Sequence, residues 1–295
     1  MSQAFDRSLE DIGNILQFGH VNVEVPDQLM AQAYYVATLG LTRDPYSQTG
    51  LTNMWINVGA SQFHLPTGDA MLLGGHVGVV MPDRAALLQR LVAAAPMFSG
   101  TRFSCTERAD YLETTSPWGN RTRFYEPQEA HDPMWLGIAY VEFEVPVGSA
   151  DGIGRFYDQI FLAPVTVSVE HGARVARVQA GQAQQLVFRE TAGELPPYDG
   201  HHIQIYVGRF AAPYRRLQEL DLITQESSRY QYRFKDIKDP SSGKLLYTVE
   251  HEVRSMSHPQ FMRPLVNRNP ALGMLDHFRG ASPEAWSGPP RRQPC

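Results

Sequence analysis

Residues 19–25 read Gly-His-Val-Asn-Val-Glu-Val and carry the pattern that decides the fold. In this stretch three valines alternate with the polar residues His20, Asn22 and Glu24. Successive side chains of a β-strand point to opposite faces, so this alternation predicts a strand with one covered face. The second face is unusually polar for a strand of this length.

The same pattern recurs at residues 75–81, 139–145 and 201–207. If His20, His76, Tyr140 and His202 are equivalent positions, the steps between them are 56, 64 and 62 residues. Helix-like stretches follow the first three segments, at residues 27–39, 83–95 and 151–161, and short strands follow each helix. The repeat predicts an α+β fold made of four βαβββ units.

A proline-containing loop at residues 127–136 separates the four units into two pairs. The sequence therefore predicts an N-terminal domain over residues 1–130 and a C-terminal domain over residues 131–254. Residues 255–295 form a tail rich in proline and arginine, which is predicted to wrap the surface or to stay partly disordered.

The composition restricts the class of protein. A net charge of -5 argues against a non-specific nucleic-acid-binding protein, which normally presents a basic face. No apolar run approaches the roughly 18 residues that a membrane span needs. Only two cysteines occur, Cys105 and Cys295, which excludes a disulfide scaffold and suits a reducing cytoplasm. Any metal site must therefore be built from histidine and carboxylate.

The four βαβββ units, with histidine at the start of the first strand, resemble the vicinal oxygen chelate superfamily. This group contains glyoxalase I, the bleomycin resistance proteins and the extradiol ring-cleaving dioxygenases. The resemblance covers roughly residues 16–253. It implies glyoxalase-like half-barrel (cup) domains, each closed by two units, with a divalent metal ion inside. The ligands of that metal would come from the first and the last strand of each unit.

Carried over to this sequence, the resemblance fills the N-terminal half. His20 and His76 begin the first strands of units one and two, and Glu126 ends the last strand of unit two after a Pro-Trp-Gly-Asn turn. The fourth position falls at His64, where the glyoxalase branch usually has glutamate or glutamine. His64 is therefore either a fourth ligand or the catalytic base. The implied cofactor is one divalent ion, namely Zn, Ni, Co, Fe or Mn.

The C-terminal half is degenerate at the same positions. Tyr140 stands in place of the first histidine, whereas His202 and Glu250 are retained. We interpret this half as a structural or substrate-gating partner. An alternative is a mixed cup that joins His20 to His202.

The resemblance implies a metal enzyme that binds a small substrate through two adjacent oxygens, with proton-transfer isomerase or lyase chemistry. One alternative is an extradiol dioxygenase that uses Fe(II) or Mn(II). Another is a metal-free protein that binds an antibiotic-type small molecule. A homodimer is possible, but the oligomeric state stays open, since the two halves of one chain could complete a pseudo-dimer internally and need no partner.

Overall fold

The computed structural model describes residues 11–47, 50–128, 131 and 134–270. Two eight-stranded mixed sheets dominate it. The first sheet contains β1 Ile15–Asn22, β2 Thr42–Arg43, β3 Asn53–Val58, β4 Ser61–Pro66, β13 His202–Val207, β14 Ile223–Ser228, β15 Gln231–Lys238 and β16 Leu245–Ser255. The second sheet contains β5 Gly75–Val80, β6 Ser104–Glu107, β7 Leu112–Thr115, β8 Arg121–Tyr125, β9 Gly137–Pro146, β10 Val165–Glu170, β11 Ala173–Gln179 and β12 Gln185–Thr191.

One helix follows the first strand of every unit. These helices are α1 Gln28–Ala31 with a π-helical continuation Gln32–Thr38, α2 Arg84–Ala94 with a short 3₁₀ turn Ala95–Phe98, α3 Ala150–Phe156 with a π-helical continuation Tyr157–Phe161, and α4 Ala211–Glu219. The element order is therefore βαβββ four times, which confirms the predicted α+β fold. The sequence pattern did not indicate α4, the helix of the fourth unit.

The helices begin and pack as their residues dictate. Asp27 caps α1 by accepting hydrogen bonds from two backbone N–H groups, and Asp83 caps α2 in the same way from Ala86. The aromatic pair Tyr34 and Tyr35 lies in the π-helical continuation of α1 and is buried, with Tyr35 against Phe63 of β4. Burial of such large side chains is the main source of stability for a short helix on a sheet.

The two sheets combine the units in an order that differs from the expected division into halves. The antiparallel contact of β1 with β13 joins units one and four, and that of β5 with β9 joins units two and three. The chain leaves the first sheet after β4 and returns to it at β13. The first sheet therefore joins units one and four and the second joins units two and three, rather than the two units of each half. All four first strands carry the same alternating pattern, so the pattern alone does not specify which strands pair.

The tail prediction falls partly within the described residues. Residues 256–270 run over the first sheet without regular secondary structure, whereas residues 271–295, which include Cys295, lie outside the described part of the chain. Within the described residues, none of the helices has the length and apolar character that a membrane crossing needs.

Candidate metal centre

Three histidines meet on the concave face of the first sheet. His20 lies in β1, His64 in β4 and His202 in β13. The parallel pairing of β1 with β4 places His64 beside Asn22, and the antiparallel pairing of β1 with β13 places His202 on the other side of Asn22. Two long-range pairings thus bring together side chains from both ends of the chain.

The ligand atoms of these histidines are close enough to share one metal ion. All three lie within 4.8 Å of one another, and the Nε2 atoms of His20 and His202 are 3.4 Å apart. Two nitrogens bound to one tetrahedral zinc ion at ~2.1 Å would lie ~3.4 Å from each other. The observed separation therefore fits a metal centre without rearrangement of these two rings.

The environment keeps the three imidazoles neutral. Burial, followed by Arg254 and Arg233, lowers the pKa of His64 to about 3, and burial and Arg233 lower the pKa of His202 to about 2. Burial also holds the pKa of His20 well below its usual value. Near pH 7 each ring therefore has a lone pair available, as a metal ligand requires.

Several buried polar atoms at the cluster have no hydrogen-bond partner in the protein. They are Nε2 of His64, Oδ1 of Asn22 and Nε2 of Gln204. An unpaired buried polar atom costs about 1–3 kcal/mol, and such atoms are uncommon in folded proteins. Their concentration beside three neutral histidines fits a site that holds a ligand.

Trp55 sets the orientation of two of the rings. Its indole stacks on His64 with ring centroids 3.9 Å apart and an interplanar angle of 12°, and it meets His20 edge-on at 4.9 Å. Trp55 lies opposite His64 in the antiparallel β3–β4 pair. The β3–β4 hairpin therefore contains both His64, the candidate ligand, and Trp55, which positions its ring.

Two glutamates approach the cluster from β16. Nδ1 of His202 is 3.8 Å from Oε1 of Glu250, and Nε2 of His202 is 3.8 Å from Oε2 of Glu252. Arg233 bridges both carboxylates, and Arg254 forms a second ion pair with Glu252 at 2.5 Å. Both glutamates are held in ion pairs with arginine, and the group whose ligand atoms all lie within 4.8 Å of one another consists of the three imidazoles.

The two halves of this cup are related by an approximate two-fold symmetry. In the register, His20 pairs with Gln62 as His202 pairs with Glu250. By the same correspondence Glu252 occupies the position that His64 occupies in the first unit. Strand alternation around Glu250 could have indicated Glu252, since the two residues share a face.

The other predicted ligands lie elsewhere. His76 belongs to β5 in the second sheet, where Nε2 is 2.9 Å from the hydroxyl of Tyr140 and Nδ1 is 3.6 Å from Glu142. Glu126 follows β8 and accepts a hydrogen bond from the backbone N–H of Arg84 at the start of α2. The structure therefore brings together His20, His64 and His202, and does not bring His76 or Glu126 to them.

The second sheet forms a cup of a different character. Its cavity of about 800 Å³ has a chain of hydrogen bonds that runs from Tyr125 through Tyr140 to His76. Each neighbouring arginine is paired with a glutamate, as in Arg189 with Glu142. Among the described residues, the group that meets the geometry of a metal site is the one in the first sheet.

A cavity of about 620 Å³ adjoins the histidine cluster. His20, Gln62 and Gln204 contribute to its lining from the sheet. The tail contributes an opposite wall through Phe261, Met262 and Leu265. The tail is held there by an ion pair of Arg263 with the buried Asp44 at 2.6 Å and by hydrogen bonds of Asn267 with Gly59.

Comparisons with known proteins agree with this architecture at the level of the fold. No protein-family model matches the sequence, and no curated protein matches it. A single-site variant of glyoxalase I from Zea mays is similar with a TM-score of 0.58 at 13% identity, over 81% of this chain and 92% of the other. A proposed dioxygenase of Bacillus subtilis is similar with a TM-score of 0.57 at 13% identity, over 84% of this chain and 88% of the other.

The protein therefore shares the fold of glyoxalase I, and the fold that the sequence resemblance implied is confirmed. At these identities the likeness concerns the fold. The chemistry has to be argued from the side chains of the first cup.

Proposed function

We propose that this protein is a divalent-metal enzyme whose ligands are His20, His64 and His202. The observation that carries this proposal is the convergence of three buried imidazoles whose ligand atoms lie within 4.8 Å, with Nε2 of His64 lacking any partner in the protein. This ligand set keeps His20 and His64 and adds His202. It omits His76 and Glu126, which the sequence analysis expected.

Three protein ligands leave open positions at a catalytic metal. A divalent ion bound there would act as a Lewis acid toward two adjacent oxygens of a substrate and stabilise negative charge that develops on them. The fold shared with glyoxalase I supports a proton-transfer isomerase or lyase reaction of this kind.

The residues of the chain then have separate tasks. The unpartnered amide of Gln204 and the carbonyl oxygen of Asn22 would orient the substrate by hydrogen bonds. Glu252 is the carboxylate that would accept the substrate proton, because it lies next to the ligand His202. Arg233 and Arg254 form ion pairs with Glu252 and fix its position.

Metal content tests the ligand assignment. We expect about one equivalent of metal in the purified wild-type protein and in His76→Ala and Glu126→Ala, which serve as matched controls from the second cup. His20→Ala, His64→Ala and His202→Ala should each lose most of the metal. Loss of metal in His76→Ala with retention in His202→Ala would contradict the assignment. A wild-type protein that takes up no metal on titration would instead support a metal-free binding protein.

A second candidate function rests on Glu252. If its carboxylate turns toward the metal, then His20, His202 and Glu252 form the two-histidine, one-carboxylate set of non-haem Fe(II) oxygenases. The 3.8 Å separation between Oε2 of Glu252 and Nε2 of His202 favours this extradiol dioxygenase alternative.

Glu252→Gln distinguishes the two candidates. A proton-accepting Glu252 predicts that the variant keeps its metal and loses substrate turnover. A ligand Glu252 predicts loss of iron, and the wild-type enzyme should then consume oxygen in the presence of catechol. Glu250→Gln, which removes the neighbouring carboxylate of the same strand face, is the control.

A further inference from the structure

A third cavity lies between the two sheets, away from both cups. Its volume is about 370 Å³, and its lining comes largely from two linkers, which connect β4 with β5 and β12 with β13. Leu72, Leu73, Pro196, Leu246 and Tyr247 give the cavity an apolar lining. Cavities at junctions of this kind are frequent ligand sites in proteins.

His201 is the polar residue that distinguishes this cavity. It precedes His202 in the chain, and because adjacent residues face opposite sides it points away from the metal cluster. Its side chain is 5% exposed. Phe143 stacks on the ring at 6.3 Å, and Tyr198 meets it edge-on at 5.2 Å.

Asp199 determines which nitrogen of His201 carries the proton. Oδ1 of Asp199 is 2.7 Å from Nδ1 of His201, and a carboxylate can only accept there, so Nδ1 is the donor. Oδ2 of Asp199 accepts a hydrogen bond from the backbone N–H of Leu72 at 2.6 Å, which ties the two linkers together. In the neutral ring Nε2 is consequently a hydrogen-bond acceptor.

Nε2 of His201 is buried and has no hydrogen-bond partner in the protein. The ring cannot turn to improve this, because Asp199 holds Nδ1 and Phe143 covers one face. A fixed acceptor at an apolar cavity is the arrangement that recognises a ligand with one donor on an apolar body.

We propose that this cavity binds a small uncharged ligand, an apolar ring that donates one hydroxyl or N–H group to Nε2 of His201. Asp199 and Glu144 lie beside the cavity and disfavour an anionic ligand. The site is independent of the metal-enzyme proposal, because it shares no residue with the histidine cluster.

Phenol and fluorobenzene are suitable probes, because they have similar size and only phenol donates a hydrogen bond. Their binding is followed in ¹⁵N-labelled wild-type protein by the resonance of the His201 Nε2 atom. We expect saturable binding of phenol at least tenfold tighter than that of fluorobenzene, with a shift of this resonance. Equal affinities, or no saturable shift, would overturn the proposal without recourse to any variant.

Variants then localise the site. His201→Phe should abolish the preference for phenol and retain weak binding of fluorobenzene, whereas His171→Phe, an exposed histidine of the second cup, should behave as wild type. His64→Ala should also retain the preference for phenol. If phenol bound at the histidine cluster instead, this variant would lose the preference. An unchanged preference in His201→Phe would contradict the assignment.

Discussion

His64 shows how a single side chain can be held ready for a ligand. One face of its ring lies on Trp55, and its Nε2 has no partner. A ring fixed by stacking loses little further freedom when it binds a metal, so the affinity benefits. Sequence could indicate His64 as a candidate, but the tryptophan that orients it becomes visible only when β3 is paired with β4.

Replacement of Trp55 by leucine tests this role. We expect the dissociation constant for Zn²⁺ or Co²⁺ to rise by roughly tenfold to a hundredfold, because groups that orient a ligand contribute at that level. Trp118→Leu, at a partly buried tryptophan in the turn between β7 and β8, is the control. Isothermal titration with both variants makes the comparison, and equal affinities would show that the stacking is incidental.

Glu170 provides a pH-dependent contribution to stability in the second cup. Hydrogen bonds from Arg177, assisted by Arg189, outweigh burial and lower the pKa of Glu170 from 4.5 to about 2. A carboxyl whose pKa is lowered by folding stabilises the folded state above its unfolded pKa. The contribution is lost as the pH falls from about 4.5 toward 2.

Glu170→Gln should therefore reduce the free energy of unfolding on the order of 1 kcal/mol at pH 7, since the pair is partly exposed. The difference from wild type should disappear near pH 2. Urea unfolding at several pH values measures it. Glu219→Gln, which breaks an exposed pair with Arg216, should change stability less.

At the scale of elements, most of the fold was predictable and the partner strands were not. Alternation and turns indicated the first strand of every unit, several of the later strands and three of the four helices, because these features are local. Glu126 illustrates the limit: its position after the last strand of unit two matches the superfamily pattern, yet its carboxylate accepts from the first turn of α2. Whether a strand end faces a cup or a helix depends on contacts outside the strand, here with a residue 42 positions earlier in the chain.

The tail is an element without regular structure that is nevertheless held in place. Burial raises the pKa of Asp44, but hydrogen bonds from Arg263 and from the backbone N–H groups of Tyr46 and Ser47 outweigh this effect and lower it. The ion pair is therefore intact at neutral pH and should weaken as the pH falls below the usual range for aspartate.

Arg263→Gln should release the tail from the cavity wall. Amide hydrogen exchange in residues 256–270 should then become faster at pH 7, whereas Arg268→Gln in the same segment should leave it nearly unchanged. Exchange measured by mass spectrometry reports this directly. Slow exchange in both variants would mean that Asn267 and the apolar contacts suffice to hold the tail.

For the whole molecule, the consequential feature is that the first sheet is built from the first and the last unit. The two central strands of that sheet, β1 and β13, belong to different halves of the chain. The histidine cluster shares this property, because His202 lies 182 residues after His20. The local sequence pattern indicates both histidines but does not indicate that their side chains lie close together.

Residues 1–130 expressed alone should accordingly expose the unpaired edges of β1 and β5. We expect this fragment to self-associate, because open strand edges pair with other chains. Co-expression with residues 131–295 should restore a one-to-one complex that binds metal. Analytical ultracentrifugation tests both statements, and a monomeric, folded N-terminal fragment would contradict them.

The same pairing sets the order in which the molecule can be completed during synthesis. Units two and three can form their sheet while unit four is still being made, whereas β1 can pair early with β4 but gains its second partner, β13, only when unit four is synthesised. A ribosome that stops before His202 releases a chain with one finished sheet and an incomplete set of ligands. The histidine cluster can therefore form only after synthesis has reached unit four.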